Sequence, residues 1–162
     1  MRRNDTIMPI RWRELLPEFP SAGAWVNGER TKAQLTGRPT LVHFWAASCE
    51  TCRAGLPLVN EWHRKYGGPD GLGLQTVGVH LPRTAEDEDA AATAEIIARY
   101  AISHPVLLDG DRAAAAAFRN ECVPAYYAFD RAGRLRHYQA GDRGLGLLEQ
   151  RIQKLLLTKE PE

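Results

Sequence analysis

The sequence predicts one α/β domain in which helices flank a central mixed β-sheet. Segments of strand-like composition alternate with segments of helical periodicity along most of the 162 residues. Near the end, two strand-like segments follow one another around Arg131-Ala132-Gly133, which indicates an antiparallel pair. No Pro-, Ser- or Gly-rich stretch separates two cores and no repeat is present, so residues 1–162 are assigned to one domain.

The first half of the chain contains three predicted strands and one long helix. Residues 1–20 are predicted as a polar, proline-punctuated lead-in. Strands are expected at 24–26, before an Asn-Gly turn, and at 40–46 and 74–81. The long helix should run from the Cys49–Cys52 motif to about Tyr66, because apolar residues recur there at helical spacing: Leu56, Val59, Trp62 and Tyr66.

The second half of the chain completes the order β-α-β-α-β-α-β-β-α, counted from the strand at 40–46. A helix is expected from Thr84, which together with Asp87 resembles a capping box, to about Tyr100. The acidic run 86–89 is interpreted as a solvated first turn, with a docking patch as the alternative. Then follow a strand at 104–109, a helix at 111–120, strands at 125–130 and 135–140, and a last helix with four apolar residues on one face: Leu145, Leu148, Ile152 and Leu155.

The composition argues against several functional classes. The chain is 44% hydrophobic and 25% charged, and its 21 basic and 20 acidic residues give a net charge of +1. This balance disfavours binding to nucleic acid or another polyelectrolyte. The basic start, Met1 to Thr6, is followed by no apolar region of a signal peptide, and no run approaches the roughly 20 apolar residues of a membrane span. We therefore expect a cytoplasmic protein.

The chemistry is carried by Cys49-Glu50-Thr51-Cys52, at the start of the long helix. The spacing lets both sulfurs meet within one helical turn, and helix N-terminal N–H groups stabilise a thiolate on Cys49. Thiolates are the nucleophiles of disulfide exchange, so Cys49 is expected to attack and Cys52 to resolve the mixed disulfide. The alternative is half of a zinc site, but Cys122 and the five histidines show no metal-ligand spacing. The motif predicts a thiol-disulfide oxidoreductase with no cofactor and no metal.

Three motifs, in this order, resemble the thioredoxin family. The run Trp45-Ala46-Ala47-Ser48-Cys49-Glu50-Thr51-Cys52-Arg53 resembles its Trp-Ala-x-x-Cys-x-x-Cys signature. Pro57 matches the kinking proline of the family's active-site helix, and Val123-Pro124 matches its Val/Ile-Pro before a strand. The extra helix and strand within 81–109 look like the insertion of the TlpA/ResA branch. The resemblance covers about residues 20–158 and implies a thioredoxin fold with an N-terminal extension.

The resemblance also implies roles for residues outside the cysteine pair. Trp45 would pack beside the active site and is assigned to substrate binding. The Val123–Pro124 bond would be cis, with Pro124 against Cys49, and the Val123 backbone would pair with an incoming peptide. The partners implied are a protein or small-molecule disulfide and an upstream reductant.

Departures from the family pattern concern proton transfer. His43 stands where thioredoxins carry a buried Asp, Gly55 where TlpA-like proteins often carry a Glu, and Ser48 where a large residue or Thr is usual. His43 can take over proton transfer with Cys52, because imidazole titrates near neutral pH; the alternative is a neutral buried histidine. The charge of Glu50 should disfavour the thiolate of Cys49 and make the protein more reducing.

Other residues and functions are kept as alternatives. Cys122 should lie near the rim of the active site, either forming a mixed disulfide or serving as a small apolar residue. The remaining histidines are predicted to be structural or exposed: His63, His80, His104 and His137. A peroxiredoxin-like peroxidase is disfavoured, because Ala46 and Val42 replace the Thr/Ser and Pro of that motif. A thioredoxin-fold chaperone for Cu(I) or zinc would normally carry a Cys-x-x-x-Cys spacing that this chain lacks.

Overall fold

The computed structural model describes residues 9–20, 23–68 and 73–158, which form one mixed six-stranded sheet in the order β1-β4-β3-β2-β5-β6. The central strands β2, β3 and β4 are parallel, and the other pairs are antiparallel. This arrangement confirms the predicted mixed sheet and its terminal antiparallel pair. The strands are β1 (Ala24–Val26), β2 (Thr40–Trp45), β3 (Gln75–His80), β4 (Val106–Leu108), β5 (Ala125–Phe129) and β6 (Leu135–Ala140).

Five α-helices are found in the described residues, four of which overlap the predicted ones. They are α1 (Lys32–Leu35), α2 (Glu50–Tyr66), α3 (Ala90–Arg99), α4 (Ala113–Phe118) and α5 (Leu145–Leu157). The unpredicted helix α1 has four residues and is held by a capping box between Thr31 and Gln34. Such a short helix cannot show a helical period, so only its cap residues signal it. Within 9–20, 23–68 and 73–158, no helix is both long enough and apolar enough to cross a membrane.

Strand β2 places its alternate side chains on opposite faces of the sheet. Val42 and Phe44 belong to the cluster that also contains the N-terminal segment and α4. On the other face, Leu41 and Trp45 pack into two clusters that include the buried side of α2: Cys52, Leu56, Val59 and Trp62. His43 lies between them on this face, so the sheet face that carries His43 is the one that meets Cys52.

The lead-in is more than a polar extension. Of its described residues 9–20, Ile10, Leu16 and Phe19 are buried in the main core. Leu15 forms an isolated antiparallel bridge with Arg134, and the N–H of Ile10 donates to the carbonyl of Phe118 at 3.1 Å. The sequence does not predict this packing, because prolines and charged residues separate the apolar residues, which follow no regular period. The predicted features of residues 1–8 lie outside the described residues.

The helix predicted from Thr84 is interrupted. Glu86–Glu88 forms a single 3-10 turn, and Asp89 then takes an extended conformation before α3 begins at Ala90. Its carboxylate accepts the N–H groups of Ala91 and Ala92 and so caps α3. Asp87 is buried, so the interpretation of the whole acidic run as a solvated turn is wrong at this residue.

Candidate active site

The two cysteines of the motif meet at the N-terminus of α2. Cys49 is the N-cap residue, and its Sγ accepts the backbone N–H of Cys52 at 3.1 Å. Cys49 is half-buried, whereas Cys52 is fully buried. An incoming disulfide can therefore reach the sulfur of Cys49 but not that of Cys52.

Burial also changes the acidity of the Cys52 thiol. Removal from water raises the pKa of Cys52 well above its ordinary value, and the hydrogen bond with Cys49 raises it further. The Cys52 thiol is therefore protonated at rest and must lose its proton before it can act as a nucleophile. A group that accepts this proton belongs to the chemistry of the site.

Three side chains hold the loop that leads into Cys49. The Nε2 atom of His80 accepts the N–H of Ala47 at 3.0 Å, and the hydroxyl of Ser48 donates to Asp87 at 2.6 Å. Arg53, one turn into α2, donates to the carbonyl of Ala47. These roles were not predicted from the sequence; for Asp87, the capping-box pattern with Thr84 was a usable signal, and its N–H does donate to the Thr84 hydroxyl.

Asp87 and His80 influence one another's pKa. Burial alone would raise the pKa of Asp87. The hydrogen bonds from Ser48 and Arg83, together with the nearby His80, instead hold this pKa below its usual range. Burial lowers the pKa of His80 to about 4, against the opposing effect of Asp87. At neutral pH the neutral imidazole accepts the N–H of Ala47 while ionised Asp87 accepts the hydroxyl of Ser48.

The Val123–Pro124 peptide bond is cis, as the resemblance implied. Val123 is half-buried and packs against the same cluster as Cys49, a cluster that contains Trp45 and Cys52. Pro124 is buried beneath this surface. Trp45 is fully buried as well, so its side chain packs behind Cys52 and presents no surface to a substrate, contrary to its assignment to substrate binding.

His43 is enclosed in the core behind the cysteines. Its ring stacks on that of Tyr126, with centroids 4.5 Å apart and planes within 5°. In the part of the chain that the structure describes, neither ring nitrogen has a hydrogen-bond partner. Burial lowers the pKa of His43 to about 3, so the resting imidazole is neutral, as the alternative interpretation held, and can still accept a proton transiently.

The phenol of Tyr126 lies beside Gly55, the position where TlpA-like proteins often carry a Glu. A Cβ atom on Gly55 would lie only 3.1 Å from the hydroxyl of Tyr126, so this hydroxyl reaches α2 one turn after Cys52. Burial, with the negative charge that Cys52 would carry, raises the pKa of Tyr126. Tyr126 is thus a neutral polar group beside the buried thiol, and the apolar strand sequence around it gave no sign of this role.

The remaining candidates lie at the edge of the site. Glu50 is exposed in the first turn of α2. Cys122 is half-buried, with its Sγ 3.7 Å from the hydroxyl of Tyr138. Among the described residues, no three His, Cys, Asp or Glu side chains are arranged to hold a metal ion.

Comparison with known proteins places this geometry in a family. A family model described as Redoxin matches residues 15–154. The thiol-disulfide oxidoreductase YkuV of Bacillus subtilis is 43% identical over 152 residues, which are 93% of this chain and 100% of that protein. The thiol-disulfide oxidoreductase ResA of Bacillus cereus is 23% identical over 121 residues, 75% of this chain and 65% of that one.

A solved structure shows the same architecture. A thioredoxin-like protein, determined in solution in its oxidised form, superposes with a TM-score of 0.83 at 43% identity, over 93% of this chain and 100% of its own. Sequence, fold and cysteine pair agree. The chain therefore belongs to the Redoxin family and is a thiol-disulfide oxidoreductase of thioredoxin fold.

Proposed function

We propose that Cys49 attacks the substrate disulfide and that Cys52 resolves the resulting mixed disulfide. The observation that carries this proposal is the unequal exposure of the two cysteine residues: Cys49 is half-buried, whereas Cys52 is 0% exposed. The sulfur of Cys49 accepts a backbone N–H at the N-terminus of α2, while burial keeps Cys52 protonated until the second step.

The exchange consists of two displacements. The Cys49 thiolate bonds to one substrate sulfur and the other substrate sulfur leaves as a thiolate. Deprotonated Cys52 then bonds to the Cys49 sulfur, and the second substrate sulfur leaves. The substrate gains two electrons and its sulfurs take up two protons, while the enzyme is left with a Cys49–Cys52 disulfide. An upstream dithiol reductant returns the enzyme to its reduced form.

Protein disulfides are the substrate class that the surface near Cys49 favours. Among the described residues, the backbone N–H and C=O of Val123 have no intramolecular hydrogen-bond partner, and Val123 is half-buried beside the cluster that supports Cys49. An extended peptide that pairs with this backbone would present its disulfide to Cys49 without requiring a particular side chain. Pro124, buried beneath this position, shapes the loop.

His43 is the proton acceptor for Cys52 in this proposal. It lies on the sheet face that packs against α2, and the unprotonated nitrogen of its neutral ring has no hydrogen-bond partner among the described residues and can accept a proton. His43→Ala should then slow resolution of the mixed disulfide more than its formation. Equal slowing of both steps would make His43 a packing residue only.

The attack and resolution roles are tested by trapping. Cys52→Ser, combined with Cys122→Ser to remove a substitute thiol, should accumulate mixed disulfides on Cys49 in cells. Non-reducing electrophoresis detects them, and mass spectrometry of the affinity-purified complexes identifies protein partners or a small thiol.

The matched control is Cys49→Ser combined with Cys122→Ser, which should trap far less. Equal trapping by the two variants would overturn the assigned roles. No trapping by either, together with stoichiometric metal in the purified protein, would favour metal binding by the cysteine pair instead.

We also propose that the protein acts in the cytoplasm. The support is its cysteine usage: outside the exchange motif only Cys122 remains, so the sequence offers no second pair for a structural disulfide. Cell fractionation followed by alkylation of thiols should find the protein in the cytoplasmic fraction with Cys49 and Cys52 mostly reduced. Recovery in another compartment would contradict this proposal.

A further inference from the structure

Two histidines to which the exchange reaction assigns no role, His104 and His63, lie close together behind the active site and near His43. His104, in the loop before β4, and His63, on α2, have ring centroids 5.4 Å apart. His104 is 1% exposed, and it lies near enough to His63 and His43 that a positive charge on either ring would lower the pKa of His104. The cluster therefore extends from His43 through His104 to His63.

Gly78, which has no side chain, lies beside His104 and Trp45. It pairs with His43 in the β2–β3 register. A Cβ atom on Gly78 would lie 3.3 Å from both the Nε2 of His104 and the Nε1 of Trp45. Ring nitrogens from strand β2 and from the loop before β4 thus approach a position without a side chain, and one of them belongs to Trp45, the aromatic residue that packs with Cys52.

These nitrogens are not satisfied by protein groups. Over the described ranges, both ring nitrogens of His43 and His104, the Nδ1 of His63 and the Nε1 of Trp45 are buried without a hydrogen-bond partner. Such groups are costly to bury dry, and polar cavities normally take up ordered water. A metal is not the explanation, since no three ligand side chains in the described structure are arranged to hold one.

His63 connects the cluster to solvent. It is half-buried and lines an open cleft of about 540 Å³, together with Asn60, Arg64 and Ser103. His104 is almost fully buried, and its neighbour His63 is the ring that lines the cleft. A proton that leaves His43 therefore finds two imidazoles between the core and bulk water.

We propose that His104 and His63, with water between the rings, carry the proton between His43 and the cleft when Cys52 is deprotonated or protonated. This rests on the proposed role of His43. The Cys52 S–H bond breaks as His43 takes the proton, His104 and His63 pass it on, and water in the cleft receives it. The electrons stay with sulfur, so no further reactant is needed.

The chemistry of imidazole suits this task. A neutral ring accepts a proton at one nitrogen and releases one from the other, so a file of such rings moves a proton without moving a side chain. Burial lowers the pKa of His43 and of His104 to about 3 and lowers that of His63, so none of the three retains the proton. The titratable groups that act on His104 are His63 from α2 and His43 from β2.

The test separates the two chemical steps with an aromatic disulfide whose leaving thiol absorbs light. In a Cys122→Ser background, attack by Cys49 depends on reagent concentration, whereas release by Cys52 does not. His63→Ala and His104→Leu should leave the first phase unchanged and slow the second by about tenfold or more, as loss of a proton-transfer group does. His137→Ala, a histidine on β6, serves as the control.

Chemical rescue distinguishes proton transfer from packing. Imidazole added to His63→Ala should enter the open cleft and restore the second phase in a dose-dependent way. His104→Leu should not respond, because its site is enclosed. If His104→Leu fails to fold, the rescue of His63→Ala still distinguishes proton transfer from packing.

Two outcomes would overturn the proposal: an unchanged second phase in His63→Ala, or a slowed one that imidazole does not restore. His43→Ala tells the two proposals apart. If the second phase is slow in His43→Ala but normal in the His63 and His104 variants, the relay is excluded and His43 remains the proton acceptor. If the second phase is normal in His43→Ala, His43 is not the proton acceptor.

Discussion

Around Cys52, single residues replace the carboxylates that the family pattern supplies. Tyr126 stacks on His43 and directs its hydroxyl to the position where Gly55 has no side chain. Glycine in the middle of α2 costs helix stability, roughly 1 kcal/mol relative to alanine. The close approach of the hydroxyl gives a physical reason for that glycine.

The first prediction concerns Gly55→Ala. In the wild-type protein the added methyl would lie 3.1 Å from the Tyr126 hydroxyl. This substitution should lower the free energy of unfolding by about 1 kcal/mol, because the cost of overpacking exceeds the gain in helix propensity. In a Tyr126→Phe background the same change should be stabilising. Urea unfolding of the four proteins in this double-mutant cycle measures the coupling, and additive effects would contradict the contact.

Glu50 is exposed beside the nucleophile, so its charge acts on Cys49 through solvent. Glu50→Gln should favour the thiolate of Cys49, stabilise the reduced form and raise the redox potential by about 10 mV, a small shift because exposed charges are screened. Equilibration with glutathione at low salt measures it. Glu61→Gln, an exposed change farther along α2, is the control. A lower potential in Glu50→Gln would reverse the assigned effect.

At the scale of elements, two segments outside the common fold pack into the domain, and one of them, the insertion, supports the site. The insertion supplies Asp87, which fixes Ser48, and β3 ends in His80, which fixes Ala47. The N-terminal segment covers the opposite sheet face, where Leu16 is 1% exposed while its neighbour Leu15 is 46% exposed. Both segments are therefore integral to the domain and not appendages.

The adjacent leucines provide a matched pair for the N-terminal segment. Leu16→Ala should lower the free energy of unfolding by about 2–4 kcal/mol, because it removes buried methyl groups and leaves a cavity. Leu15→Ala should change it by less than about 1 kcal/mol, since that side chain remains largely in water. Chemical denaturation of both variants makes the comparison. Equal effects would show that residues 9–20 do not pack as described.

At the scale of the whole molecule, buried histidines dominate the response to acid. Burial lowers the pKa to about 3 in His43 and His104 and to about 4 in His80. The unfolded chain, with histidine pKa near 6.5, therefore binds more protons than the folded one between these limits. Their contribution to stability is complete above about pH 6.5 and is lost as pH falls, down to about pH 4 for His80 and about pH 3 for His43 and His104.

We predict a steep loss of stability in this window. Each of the three histidines adds up to about 1.4 kcal/mol per pH unit to the slope of the unfolding free energy. Urea unfolding at several values from pH 7.5 to 4.5 measures that slope. His104→Leu should reduce it, whereas His137→Gln, on half-buried β6, should leave it unchanged. A flat profile between pH 7 and pH 5 would contradict the burial of these rings.

Local signals predicted most of the fold. β6 has its predicted bounds and β2, α2 and β5 differ from them by only one residue, because alternation, helical spacing and turn residues act within a few positions of the chain. The same signals failed at the helix expected from Thr84, where Asp89 is a stronger cap than the capping box before it. Helix α1 was missed because four residues carry no period.

By itself, the sequence determined the chemistry of this protein: a Cys-x-x-Cys pair at a helix N-terminus is a local arrangement, complete within one turn. Only the tertiary structure decided which groups serve that pair. The groups that meet there are far apart in the chain. The hydrogen bond from Ala47 to His80 spans 33 residues, and that from Ser48 to Asp87 spans 39. The ring contact between His63 and His104 spans 41. Such pairings depend on strand order and register, which hydrophobic packing sets across the whole domain and no short segment encodes.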